Sequence, residues 1–332
     1  MKTQSCMRSY GTRALSAGFS LIELLVALVL GTLVVLATTG IFISNKQSYN
    51  TTQSTSRIQE NARSAFEMLS RELREAGANP CSRGLPMANV LRDKKSGDPL
   101  PGWWNNWNAP LQGYPNGAAT PVAVAAGTDA VNIMYGQDYG VFVENHNPAA
   151  ASFKANRTDG LQTDDLLMVC DYSQTAVFQA TNVNAASGTI VHNPGSGLNC
   201  TKGLGLPVSC SGPAIGSGKA FPEGSRIARL QASLWYVAKN GRGDGTSLYR
   251  VQMLKGKVQD PEEIAEGVTN LQLSYLGPSG AGPAYQDSLT NYADATAVNV
   301  HMTIQDTQST GTDNKPIVRQ LMNVVSLRNR LP

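Results

Sequence analysis

Twenty-five consecutive residues, Phe19 to Ile43 (FSLIELLVALVLGTLVVLATTGIFI), carry a single charged side chain, Glu23. At 1.5 Å per residue such a run makes a helix about 37 Å long, enough to cross a bilayer with some tilt. The preceding residues 1–18 (MKTQSCMRSYGTRALSAG) are polar and basic, and Arg8 and Arg13 favour a cytoplasmic N-terminus by the positive-inside rule. This is not the layout of an ordinary secretory signal. There the small-residue cleavage site follows the apolar region, whereas here the small residue, Gly18, precedes it.

Glu23 breaks the apolar pattern, because a carboxylate in a membrane helix costs about 2.5–3.5 kcal/mol on insertion scales. Two readings account for it. Either it lies within one turn of the interface and snorkels to water, or the chain is cut after Gly18 and a new amino group at Phe19 of a neighbouring chain neutralises it.

Gly18, Phe19, Ser20, Leu21, Ile22 and Glu23, read as GFSLIE after a short basic leader, resemble the class III signal of type IV pilins and type II secretion pseudopilins. The resemblance implies that a prepilin peptidase cuts after Gly18 and methylates Phe19, and that Glu23 guides assembly. It implies as partners the inner membrane, the peptidase, and other minor and major pilins. The expected route is a single-pass inner-membrane protein with a periplasmic body, followed by a pilus or cell-surface position. Many major pilins carry a helix-breaking proline late in this segment; here there are only Gly31 and Gly40.

After Ile43, Ile58, Ala62, Ala65, Phe66, Leu69, Leu73 and Ala76 recur at spacings of three and four, which predicts an amphipathic helix. Glu67 with Arg71, and Arg71 with Glu75, read as i,i+4 pairs on its solvated side, while Gly77, Asn79 and Pro80 stop it. Ser48 to Thr55 is poor in helix formers and reads as a weak point. The segment from Ser44 through Cys81 is similar to the minor pilins of the PilW group, relatives of the J-type pseudopilins, and EGVTNLQLSYL and NVVSLRNRLP near the C-terminus resemble them too.

Four regions are therefore expected: a leader over 1–18, a transmembrane assembly helix over 19–43, its amphipathic continuation over 44–77, and a β-rich globular domain over 78–332. The fold class is α+β, with a long N-terminal helix packed on that domain. In the body, Val298, Val300, Met302 and Ile304 alternate with polar residues. Leu230, Ala232, Leu234 and Tyr236 do likewise before NGRGDG turns into SLYRVQML, a hairpin signal. Further strands are expected at 129–135, 165–170, 175–183, 268–276 and 317–327, and the Pro- and Gly-rich stretches 84–128 and 185–224 read as long irregular insertions.

The formal charge of +3 lies entirely in Lys2, Arg8 and Arg13, leaving 24 basic and 24 acidic side chains. Such a neutral body lacks the footprint of a nucleic-acid binder. His146, His192 and His301 are far apart in sequence with no ligand-spaced partner, so neither a metal, a cofactor nor catalysis is expected of them. Asp164 and Asp165 read as solvated loop acids, and Asp244 in NGRGDG as part of the hairpin turn. No nucleophile elbow, P-loop or dinucleotide fingerprint appears, and the chain reads as a non-enzyme.

Cys6 would leave with the leader, so Cys81, Cys170, Cys200 and Cys210 remain, an even set suited to an oxidising compartment. The short Gly-rich segment between Cys200 and Cys210 makes that pair the first choice, leaving Cys81 with Cys170; unpaired buried thiols are the alternative. Trp103, Trp104 and Trp107 in PGWWNNWNAP form either a candidate ligand loop, stacking on sugars or a partner, or an insertion folded back with its indoles on the sheet. The functional expectation is a minor type IV pilus subunit. The alternatives are a J-like pseudopilin of a type II secretion system and a membrane-tethered adhesin.

Overall fold

The protein is described here by a computed structural model covering residues 20–81, 84–93, 98, 100–107, 109–195, 197–210, 218–278, 282–306 and 315–330. Two compact units divide the chain, one up to Gln53 and one from Ser54 onward. A single α-helix, α1 (Leu21–Glu75), contributes to both. In the first unit residues 21–50 are helical and exposed throughout. Gly31 and Gly40 lie within this helix and do not end it. Ser48 to Thr55 is helical as well, contrary to its propensities; the Thr52 hydroxyl donates back to the Ser48 carbonyl, satisfying itself within the helix.

Sixteen strands follow among the described residues: β1 (Met87–Asn89), β2 (Leu111–Tyr114), β3 (Ala130–Asn147), β4 (Ser152–Ala155), β5 (Leu166–Cys170), β6 (Thr175–Gln179), β7 (Asn182–Asn184), β8 (Thr189–Val191), β9 (Arg226–Lys239), β10 (Thr246–Leu254), β11 (Lys257–Val258), β12 (Glu262–Glu266), β13 (Val268–Gly277), β14 (Ala284–Gln286), β15 (Ala297–Gln305) and β16 (Val318–Ser326). One sheet has twelve strands centred on the antiparallel pair β3 and β9. The other runs β14-β13-β15-β16. This is the expected α+β layout of one long N-terminal helix and a β-rich body.

The helix stripe forms as its spacing requires. Ile58, Ala62, Ala65, Leu69, Leu73 and Ala76 are buried and join one core with Val131 and Ile133 of β3, Trp235 and Val237 of β9, and the inner faces of β13 and β15. Gly77 ends the helix in the left-handed region (φ 74°), where a side chain would be strained, and its N–H donates to the Met134 carbonyl. The Ala78 carbonyl then accepts from the Gly136 N–H, so two bonds moor the helix end to β3. On the outer face Glu67 pairs with Arg63, not with Arg71 as the sequence predicted.

A second core lies around the outer half of β3, where Val141 and Val143 meet Phe153, Leu167, Val169, Phe178 and Phe221. It exists because β3 is far longer than the expected 129–135 strand. Gly140, at φ 69°, sits in a register shift between Asp138 and Val141 that lets β3 bend and continue. The expected 175–183 strand divides into β6 and β7, because the chain leaves its pairing with β5 and takes up β8. The stretches 84–128 and 185–224 hold β1, β2 and β8, too short to show a period in sequence. Asp165 is buried and accepts from the Gln162 N–H, so it is not the solvated loop acid expected; burial raises its pKa.

β2 passes closely over β13. A Cβ at Gly113 would overlap the Tyr275 hydroxyl and ring, and Tyr275 is wholly buried against Tyr292. Gly113→Ala is expected to destabilise the body by about 1–3 kcal/mol through overpacking, measured by urea denaturation, with no change in membrane insertion.

Candidate functional site

Residues 1–19 lie outside the described part, so Gly18, Phe19 and Cys6 have no described placement. The described chain opens at Ser20, whose carbonyl accepts from Leu24 N–H and whose own N–H donates to Glu23 Oε2 at 2.9 Å. Glu23 thus reaches back three residues and satisfies a helix-terminal donor, as the glutamate of a capping box does. On either side of it the large apolar residues, from Leu21 and Ile22 through Ile43, are all more than half exposed. Thr32, Thr38 and Thr39 bond to carbonyls three or four residues back, so their hydroxyls make no demand on surrounding solvent. By length and hydropathy this helix can cross a membrane.

Residues 13–39 match the family described as the prokaryotic N-terminal methylation motif. The chain has a type IV pilin-like prepilin N-terminus. Neither a curated protein nor a solved structure matches the chain. A prepilin-type motif followed by an apolar helix fits membrane anchoring, and implies in general terms processing by a prepilin peptidase and assembly with pilus components. It points to a structural subunit of pilin or pseudopilin type rather than an enzyme.

The body holds its share of the prepilin helix through a group the sequence did not reveal. Glu72, on α1 beside Leu69 and Leu73, is buried, with its carboxylate aimed at the sheet. Its Oε2 accepts from Trp235 Nε1 at 2.6 Å and from the Ser233 hydroxyl, and its Oε1 from Arg250 Nη1 at 2.9 Å. Arg250 also reaches Glu262 at 2.6 Å and lies 5.5 Å from the Trp235 ring. Burial alone would lower the pKa of Arg250, but Glu262 and Glu72 outweigh it and the net shift is upward. The group is thus a fully hydrogen-bonded, charge-assisted cluster joining helix, β9 and β10. Its one sequence signal is a glutamate at i+3 from Leu69 inside the apolar stripe, opposite Ser233 and Trp235 at strand spacing.

Cys81, just beyond the helix, is bonded to Cys170 at the end of β5, and Cys200 to Cys210. In the tryptophan loop Trp104 and Trp107 are buried with Met134, Met168 and Leu230, and Trp103 is half-buried, its carbonyl accepting from Asn132 Nδ2. Trp104 and Trp107 therefore present no open stacking face; the indoles are folded back onto the sheet. Asp244 lies in the β9–β10 turn, where Arg242 pairs with Glu263 and Glu266.

Two of the three histidines meet in space. His146 and His192 lie 46 residues apart in the chain, yet their Nε2 atoms are 3.2 Å apart, while His301 stands separately on β15. Among the described residues no group of three or more His, Cys, Asp or Glu side chains could hold a metal ion.

Proposed function

We propose that this chain is a minor type IV pilus subunit that takes part in pilus assembly or initiation. Cleavage falls between Gly18 and Phe19, Phe19 is methylated, and residues 1–18 are the leader. Residues 19–43 anchor the subunit in the inner membrane with the N-terminus cytoplasmic, 44–77 continue the helix, and 78–332 form the periplasmic and later pilus-exposed body. The observation that carries the reading is the methylation motif running into an exposed apolar segment, up to Ile43, whose one carboxylate is Glu23. Phe19 supplies the amine for that carboxylate, in a chain packed alongside. The partners are other minor and major pilins, together with the prepilin peptidase.

The test is complementation of a deletion strain with wild-type or Glu23→Val protein. Mass spectrometry of the mature N-terminus is expected to give methylated Phe19 in both. Valine removes the desolvation penalty of the carboxylate, so insertion persists, but the subunit loses the charge that pairs with an incoming amine. Pilus number and twitching motility are expected to fall with the variant. Full restoration would remove the assembly role of Glu23, and a deletion neutral for piliation but impairing type II secretion would transfer the chain to the J-like pseudopilins.

A further inference from the structure

The outer core contains a directional chain of hydrogen bonds through two imidazoles. The Phe221 N–H donates to His146 Nδ1 at 3.1 Å, so that nitrogen carries no proton and the proton of the neutral ring sits on Nε2. His146 Nε2 then donates to His192 Nε2 at 3.2 Å. This leaves the His192 proton on Nδ1, which is buried and meets no hydrogen-bonding atom of another residue. A metal bridging the two Nε2 atoms is disfavoured, because His146 Nδ1 would need a proton where it now accepts one. Adding a proton to either ring sets two N–H groups face to face, at Phe221 or between the imidazoles. The surroundings offer no relief. His146 stacks on Phe153 with centroids 4.0 Å apart and lies 5.9 Å from Phe221, while Phe153 and Phe178 lie against His192, which has no exposed surface.

The charged groups on the elements packed around the pair are engaged elsewhere or face outward. Lys219 lies 5.4 Å from the Phe221 ring and pairs with Asp171 at 2.6 Å. Lys202 and Lys154 bond the Ala149 and Ser187 carbonyls, and Glu144 and Glu223 are exposed.

We propose that the His146–His192 contact is an acid-released clasp, which holds the chain around His192 and Phe221 against β3 and β4 at neutral pH and lets it swing away on acidification, uncovering the aromatic faces of Phe153 and Phe178. Burial pushes His146 down to about 4, and burial followed by the neighbouring His146 pushes His192 down to about 3. Once opened, both rings titrate near their ordinary value. The closed form is therefore fully favoured above about pH 6.5 and loses ground as pH falls toward the depressed native values.

Two protons taken up on opening raise the opening equilibrium about 10³-fold between pH 7.5 and 5, and one proton about 30-fold. The experiment is hydrogen exchange on the full-length processed protein in detergent, with protection corrected for intrinsic rates at each pH. The Phe221 and His192 amides are expected to lose about 10³-fold protection across that range while Val300 and Met302 in β15 hold theirs. His146→Gln, which keeps an acceptor for Phe221 and a donor for His192 without titrating, is expected to reduce the loss to about 30-fold. An unchanged Phe221 amide, an equal loss in β15, or a wild-type slope in the variant would overturn the clasp. Should the variant misfold, imidazole titration of the wild type by NMR decides: rings that stay neutral below pH 5 support it, and rings titrating near 6.5 in the folded protein overturn it.

Discussion

Glu72→Ala is expected to lower the stability of the body by about 3–5 kcal/mol, the cost of breaking a buried ion pair from one side. Alanine deletes the acceptor of three donors at once: Trp235 Nε1, the Ser233 hydroxyl and Arg250 Nη1. Arg250 keeps Glu262, so part of its charge stays paired, but the Trp235 and Ser233 donors are buried with nothing to replace Glu72. Glu72→Gln retains an acceptor for one or two of them and is expected to lose less, about half as much. Urea denaturation of the full chain, followed by the fluorescence of Trp235 and its neighbours, measures both. Equal losses in the two variants would mean that a neutral acceptor rescues nothing and that the carboxylate's charge carries the cluster.

Removing the Cys81–Cys170 bridge by paired serine substitution is expected to cost about 4–5 kcal/mol, against about 3 kcal/mol for Cys200–Cys210, on the chain-entropy account of loop closure. The first bridge spans a sequence separation of 89 and the second one of 10, so the unfolded chain regains far more freedom when the first is lost. The long bridge also fixes the residue that follows the helix end to the rim of β5. Its loss is expected to loosen the outer core before the helix-bearing one. Denaturation midpoints of the two double-serine variants give the comparison, and a larger loss for the short loop would refute the entropic ranking.

What could be read from the sequence was whatever repeats with a short period. The apolar run from Phe19, the stripe from Ile58 to Ala76 and the hairpin through NGRGDG each expose their geometry within a dozen residues. Glu72 stayed hidden because a charged residue on an amphipathic helix normally faces water, and its partners lie more than 160 residues away. The pairing of His146 with His192 depends on β3 outrunning its expected end at residue 135. The Trp103–Trp107 loop left two readings open, because its Asn and Pro suit a surface loop while its indoles favour burial; two of the indoles fill the interior. Short strands such as β1 and β8 span too few residues to show an alternation and are fixed by the strands they pair with.

Phe142 in β3 and Arg226 in β9 are register partners, so the chain departs from this ladder and returns to it at adjacent points. Everything between them is an excursion whose two ends are already fixed side by side. Within it β5 pairs with β9 and Cys170 is bridged to Cys81, so it is the loops beyond β5 and β6 that can change length with little effect on the inner half of the ladder, which carries Glu72's partners Ser233 and Trp235. The body is in this sense a fixed mounting with an adjustable rim: the loops of 143–225 outside β5 and β6 can vary while the same scaffold goes on seating the helix.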